Sequence, residues 1–220
     1  MHSIVQVMQT ASTTDLTTVA KANAFLGLTS STQNDAIVAA QITSASNIIA
    51  VQCDRVFALQ DVVETFTMRW GEWIDALNLD RPPVSILTSI VENGQTLTTD
   101  FYDADLTKGI IWRRLGYMPY LPYVGYGAGY GFGGDRIAVT YTGGYDLPDG
   151  APSDLALACL LLMKEQRFMQ FRGDPSVRSV SHGDLTIFYQ QGAAGIAAGQ
   201  GALPPAVDRL IAPYRIPAAA

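Results

Sequence analysis

The sequence predicts an α+β fold, a small helical bundle core carrying a β-rich insertion. Two long stretches of helical periodicity, near residues 34–57 and 153–171, flank a region from 61 to 145 whose apolar residues alternate with period two. A short proline-started helix and tail close the chain. At 220 residues, 48% of them apolar, the chain can bury one substantial core plus an appendage. The expected layout is a single domain spanning 1–220. Its helical core is 15–60 and 151–173, its β insertion 61–145, and its C-terminal hairpin and closing segment 176–220.

Residues 1–13 show no clear period and read as an arm. From Asp15 to Leu26, the residues Leu16, Val19, Phe25 and Leu26 fall near helical spacing, and Gly27 follows as a C-terminal cap. A Ser/Thr-rich link leads to the longer helix, with Thr32 and Asp35 spaced as a capping pair. Val38, Ile42, Ala45, Ile49 and Val56 mark its apolar stripe, which Ile37 and Ile48 widen.

The period changes near residue 61. Val62, Phe66, Met68 and Trp70 alternate with Val63, Thr65, Thr67 and Arg69, as on a half-buried strand. Arg81-Pro82-Pro83 forbids helix locally. Val84–Val91 is a β-branched strand ending at Asn93-Gly94, a strong hairpin signal because a type I′ turn needs positive φ at both positions. Leu97–Tyr102, Ile110–Trp112 and the alternation of Ile137, Val139 and Tyr141 add strands, the last ended by Gly143-Gly144. Between them lies a Tyr/Gly-rich loop, 117–134. It reads as an elongated hairpin or floppy loop, as an interaction loop in which Tyr120, Tyr123, Tyr126, Tyr130 and Phe132 supply contact area for another subunit or a partner, or as an insertion of no mechanical importance.

Ser153 is an N-cap candidate after Pro152, and Leu155–Phe171 is apolar on nearly every side, as in a helix central to its core or flanked by subunits. Leu185, Ile187 and Tyr189 alternate as a strand after a His182-Gly183-Asp184 turn. Pro204 and Pro205 then start the last helix and Pro213 ends it.

Composition narrows the function classes. The net charge of −6 points away from a sequence-reading nucleic-acid binder, although a negative wall would let DNA slide past. The longest apolar runs fall short of the roughly 20 residues a bilayer requires, and the N-terminal residues lack a secretory pattern, so no membrane partner is expected. Cys53 and Cys159 have no neighbours at metal-ligand spacing and read as two small buried thiols. Ser181, His182 and Asp184 are too close in sequence to converge as a triad. The glycines of GYGAGYGFGG are followed by neither Lys-Ser/Thr nor a capped helix, so they make no phosphate loop. Asp100, Asp103 and Asp105 lack the glycine and distal glutamate of a calcium loop and read as a solvated turn. Arg113-Arg114 is the only adjacent basic pair. Trp70, Trp73 and Trp112 suit a thin aromatic core or an interface equally well. The expectation is no catalytic residues, no metal and no cofactor.

Several segments, in order, resemble the head–tail connector (adaptor) family of long-tailed bacteriophages and gene transfer agents. TTVAKANAFLGL is similar to its opening helix, and NDAIVAAQITSASNIIAVQCDRVF to its long second helix. RPPVSILTSIVENGQ resembles the strand pair, VTYTGGYD and PSDLALA the approach to the core helix, and GDLTIFY and LPPAVDRLIAPYR the closing elements. The longer β insertion and the glycine-rich loop depart from the pattern.

The resemblance implies a non-enzymatic, self-associating ring, typically twelvefold, at the virion neck, assembled in the host cytoplasm. Such a ring sits beneath the portal protein and receives a stopper or tail-completion protein, while DNA passes through without sequence-specific binding. It also implies that the C-terminal segment docks on the portal, through Leu203, Val207, Leu210, Ile211, Pro213, Tyr214 and Arg215; a helix folded back as an intramolecular lid is the alternative. A stopper, a tail terminator or a particle-associated hydrolase are the competing readings.

Overall fold

The computed structural model describes residues 2–67, 74–117, 136–172, 179–182, 185–188 and 203–215. The chain forms two compact units, each built from two stretches of sequence. One comprises Met1–Ser12 and Val56–Asp146, the other Thr13–Arg55 and Leu147–Ala220. Helices and antiparallel sheets are both present, the α+β composition expected.

The first unit is all β among its described residues, apart from one 3-10 turn. Its strands are β1 (His2–Gln9), β2 (Gln60–Thr67), β3 (Ile74–Asn78), β4 (Val84–Glu92), β5 (Gln95–Thr96), β6 (Tyr102–Asp105), β7 (Ile110–Tyr117) and β8 (Arg136–Gly143). They make a five-stranded antiparallel sheet, β1-β2-β8-β4-β5, and a three-stranded one, β3-β7-β6. Both sheets contribute to one apolar cluster, with Val62, Phe66, Ile137, Val139 and Tyr141 from the larger and Leu77 and Ile111 from the smaller. Alternation on β2 and β8 is strict, every second residue being buried.

Residues 2–9 are a strand and not the expected arm. Ser3, Val5 and Val7 face Phe66, Glu64 and Val62 across the pair, so that side of β1 extends the core-facing side of β2. A single alternating strand with no charge except the titratable His2 escapes a search for helical stripes. The Asn93-Gly94 turn is as expected, with φ of 50° and 82° between β4 and β5. Leu97–Tyr102 is not a strand. It passes through a 3-10 turn, Thr99–Phe101, before β6 begins. At the end of β8, a Cβ on Gly143 would lie 2.3 Å from the Arg81 carbonyl oxygen, and one on Gly144 2.5 Å from that of Ala58. That glycine pair therefore permits close backbone packing as well as ending a strand.

The second unit contains α1 (Val19–Leu26), α2 (Thr32–Cys53), α3 (Ser153–Arg172), the hairpin β9 (Ser179–His182) and β10 (Leu185–Phe188), and α4 (Pro205–Ile211). Helix α1 starts later than expected because Thr18 caps it, its Oγ1 accepting from the Lys21 N–H at 3.3 Å. Leu16 mimics helical spacing from outside the helix. It is buried, and its N–H donates to Ser46 Oγ at 3.0 Å. Gly27 is the left-handed C-terminal residue, φ 66°. For α2 the cap is Ser31 and not Thr32: Ser31 Oγ accepts from the Asn34 N–H, while Asp35 turns aside to Asn23 and Ser30, each at 2.7 Å. Those two bonds hold the Asp35 carboxyl below its ordinary range. Likewise α3 begins with the Ala156 N–H donating to the Pro152 carbonyl, which places Ser153 inside the first turn.

Of the expected α2 stripe, Val38, Ile42, Ala45 and Ile49 are buried, joined by Cys53, while Val56 lies beyond the helix, which Asp54 ends in a left-handed conformation; α2 packs against α1 and α3. Helix α2 is, by length and composition, long and apolar enough to cross a bilayer, a test that a core helix packed inside a unit, as this one is, also passes. Its serines, threonines and glutamines interrupt every run without lowering the average enough. Helix α3 buries Leu155, Ala158, Cys159, Leu162 and Met163 but leaves Leu157 and Phe168 exposed, so its all-round apolarity is only partly used inside this unit.

Candidate assembly surfaces

The C-terminal segment is the first candidate. Pro204, extended at φ −52° and ψ 137°, precedes the helix, and the Asp208 N–H donates back to its carbonyl at 3.0 Å. Val207 and Ile211, four residues apart, point inward and are buried at 1% and 0% exposure. The helix packs on α3, and the Cys53 thiol lies 3.9 Å from the Ile211 carbonyl. The stripe expected to meet a partner is thus divided. Val207 and Ile211 serve the core of their own unit; Leu203, Leu210, Tyr214 and Arg215 are half-buried, and Pro213 is exposed. Arg215 is tied back to Asp208 by an ion pair, which fixes the chain where it leaves the helix.

Beside this helix runs a groove of about 400 Å³ lined by Leu161, Lys164, Glu165, Phe168, Pro204 and Val207. Its floor is apolar, and Lys164 and Glu165 offer one charge of each sign. Phe168 remains 49% exposed.

A second set of exposed apolar side chains lies in the β unit. Ile4 and Met8 on β1 are 58% and 64% exposed, and Ile86 on β4 is 60% exposed. Trp112 on β7 is also exposed, which removes it from the aromatic core considered above; Trp70 and Trp73 lie outside the described residues. The loop residues Tyr120, Tyr123, Tyr126, Tyr130 and Phe132 fall outside the described residues as well.

Glu64, 1% exposed, accepts from Tyr141 Oη at 2.8 Å and from the Asp80 N–H at 3.0 Å. Burial raises its pKa, and the nearby Asp80 charge adds to the rise against these hydrogen bonds. Burial, followed by the Glu64 charge, likewise raises that of Tyr141. The sequence held a signal for this pair: Glu64 falls on the apolar side of the alternation, between Val62 and Phe66. Cys159, beside Ser46, is pushed up to about 11 by burial, and Cys53 is raised for the same reason, so both buried, unpaired thiols stay protonated and inert. Asp105 caps its own turn through the Lys108 N–H at 3.1 Å, as a solvated turn should. Among the described residues no three His, Cys, Asp or Glu side chains converge as metal ligands do.

No protein-family profile matches the chain, and no curated protein matches it. Solved structures do. The chain is similar in fold to a chain in the neck of an empty gene transfer agent particle computed with C6 symmetry, at TM-score 0.57 and 18% identity, covering 99% of this chain and 97% of the other. It is similar to one in the neck of the native particle computed with C12 symmetry (TM-score 0.55, 17% identity) and to one in the native virion (0.52, 17%), with the same coverage. The likeness spans both units, and at these identities it establishes a common fold.

Proposed function

We propose that this chain is a structural neck subunit of a gene transfer agent or tailed-phage particle. Its role is that of the head–tail adaptor, a homo-oligomeric ring between the portal and the stopper or tail. The observation that carries the proposal is the end-to-end likeness in fold to neck chains of such particles, reached independently of the ordered sequence resemblance. Exposed apolar side chains in both units supply the surfaces a closed ring of heterologous contacts needs. The function requires no enzymatic group, and DNA passes the ring without base-specific contact. The long helices α2 and α3 favour the adaptor over a stopper or tail terminator, for which a smaller, mostly β chain is expected.

In this reading the portal meets the outward side of the C-terminal segment: Leu203, Leu210, Pro213, Tyr214 and Arg215. Val207 and Ile211 hold that segment in place from behind. The test is co-sedimentation with portal rings of the intact chain and of a Leu210→Glu/Pro213→Asp variant whose helical dichroism matches it. Loss of binding is expected in the variant. Equal binding would overturn the portal contact, and absence of the chain from particle necks by electron microscopy would overturn the function.

A further inference from the structure

Among the described residues, the larger sheet of the β unit has no strand beyond either of its edges. On one side lies β1, HSIVQVMQ, eight residues with no Lys, Arg, Asp, Glu or Pro, and no described strand on its far side. Edge strands normally carry such residues because unpaired N–H and C=O groups recruit other strands. On the other side, β5 covers only the Val91–Glu92 end of β4 and leaves Ile86–Ser89 without a described neighbour strand.

Three features make these edges complementary. First, β1, β2, β8 and β4 are successively antiparallel, so β1 and β4 run in opposite directions. The β1 of one copy beside the β4 of the next therefore continues the antiparallel alternation. Second, the exposed large apolar residues of this sheet lie on those two strands: Ile4, Val7 and Met8 on β1 and Ile86 on β4. Third, Ile4 and Ile86 share a face. Val5 packs toward the core and Ile4 pairs with Thr65, which turns Ile4 outward, and Ile86 pairs with Thr142, whose neighbours Tyr141 and Gly143 face inward. Met8 sits where the β1 register shifts between Val7 and Gln9 and leaves that alternation. Joining the edges brings Ile4 and Ile86 together as cross-strand neighbours.

We infer that β1 of each copy adds to the β4 edge of the adjacent copy, so that the five-stranded sheets of neighbouring subunits become continuous. The second copy as occupant rests on the ring reading proposed above. A head-to-tail contact uses two different edges and can propagate around a ring, whereas β1 paired with β1 would stop at two. Register shifts in β4 between Val84 and Ile86 and between Leu87 and Ser89 confine the new pairing to a few residues. Each junction is accordingly weak alone and is made where subunits are already held side by side.

The test uses full-length chains in assembled necks, oxidised and run on non-reducing gels. Three double variants keep Ile86→Cys and add Ile4→Cys, Gln6→Cys or Met8→Cys in turn, so that one of them matches the register. A ladder of covalent multimers is expected for at least one pair, and none for the single variants or for Thr65→Cys with Ile86→Cys, since Thr65 lies on the interior strand β2. Rings visible by electron microscopy with no ladder in any pair would overturn the edge contact while leaving the ring intact. Covalent dimers from a β1 cysteine alone would overturn it in favour of twofold pairing. Absence of rings and ladder together would remove the ring reading and this inference with it.

Discussion

The two units hold their backbones in place by different means. In the helical unit, turns and caps are local: Thr18, Ser31 and Gly27 act within a few residues of the helices they bound. In the β unit, the decisive contacts join distant segments, as where β1 pairs with β2 and Gly144 meets the Ala58 carbonyl. A residue in the first kind of setting can be changed at modest cost; one in the second cannot, because several segments close on it at once.

The sharpest form of this contrast is a pair of glycines. Gly144 has φ 110° and backbone atoms of Ala58 and Leu59 within 3 Å of where a Cβ would sit, whereas Gly27 has φ 66° and nothing within 4 Å. Gly144→Ala is expected to abolish the native β unit, since neither backbone can yield. Gly27→Ala should cost only the left-handed penalty of about 1–2 kcal/mol. Soluble yield and urea midpoints check both, and equal midpoints would break the comparison.

Next in size is the ion pair between Arg113 and Glu92, whose side chains are 17% and 11% exposed. Arg113→Ala leaves a mostly buried carboxylate without this partner, a loss of at most about 3–5 kcal/mol. A double variant that also carries Glu92→Gln should recover part of it, which a double-mutant cycle measures.

Glu64 tests the same unit by pH. Its carboxyl is raised by burial, so the folded chain keeps a proton that the unfolded chain, near its ordinary 4.5, has released. Stability then falls as pH rises from about 4.5 through the raised value, the reverse of an exposed paired carboxylate. Glu64→Gln should flatten the slope of urea midpoint against pH over that range. An unchanged slope would show that another group carries it.

These contrasts also explain what could be read from the sequence. The long helices, the Asn93-Gly94 turn and the strands β2, β4 and β8 were legible because period and turn chemistry are local properties. Ser31 displaced Thr32 as cap and Thr18 set the start of the first helix through local side-chain hydrogen bonds that spacing alone does not rank, while Leu16 and Asp35 were drawn to partners on other elements, Ser46 and Asn23. Strand β1 was missed because its identity lies in its partner β2. Of the C-terminal residues, the helical stripe was legible. Which of them face inward was not, since that depends on where α3 presents its surface.

The smallest effect belongs to the helical unit. Lys21 and Asp149 form an ion pair at 3.1 Å, with side chains 53% and 80% exposed. Water screens both charges, and holding two mobile side chains together offsets most of the attraction, so such pairs contribute about 0–1 kcal/mol. Lys21→Ala should shift the urea midpoint by no more than that, and moderate salt should erase the shift. The same salt should leave the Arg113→Ala loss nearly intact, because solvent hardly reaches that pair. Equal salt sensitivity at the two sites would mean that the β unit admits water as freely as the helical surface does, and the contrast between the units would fail at its base.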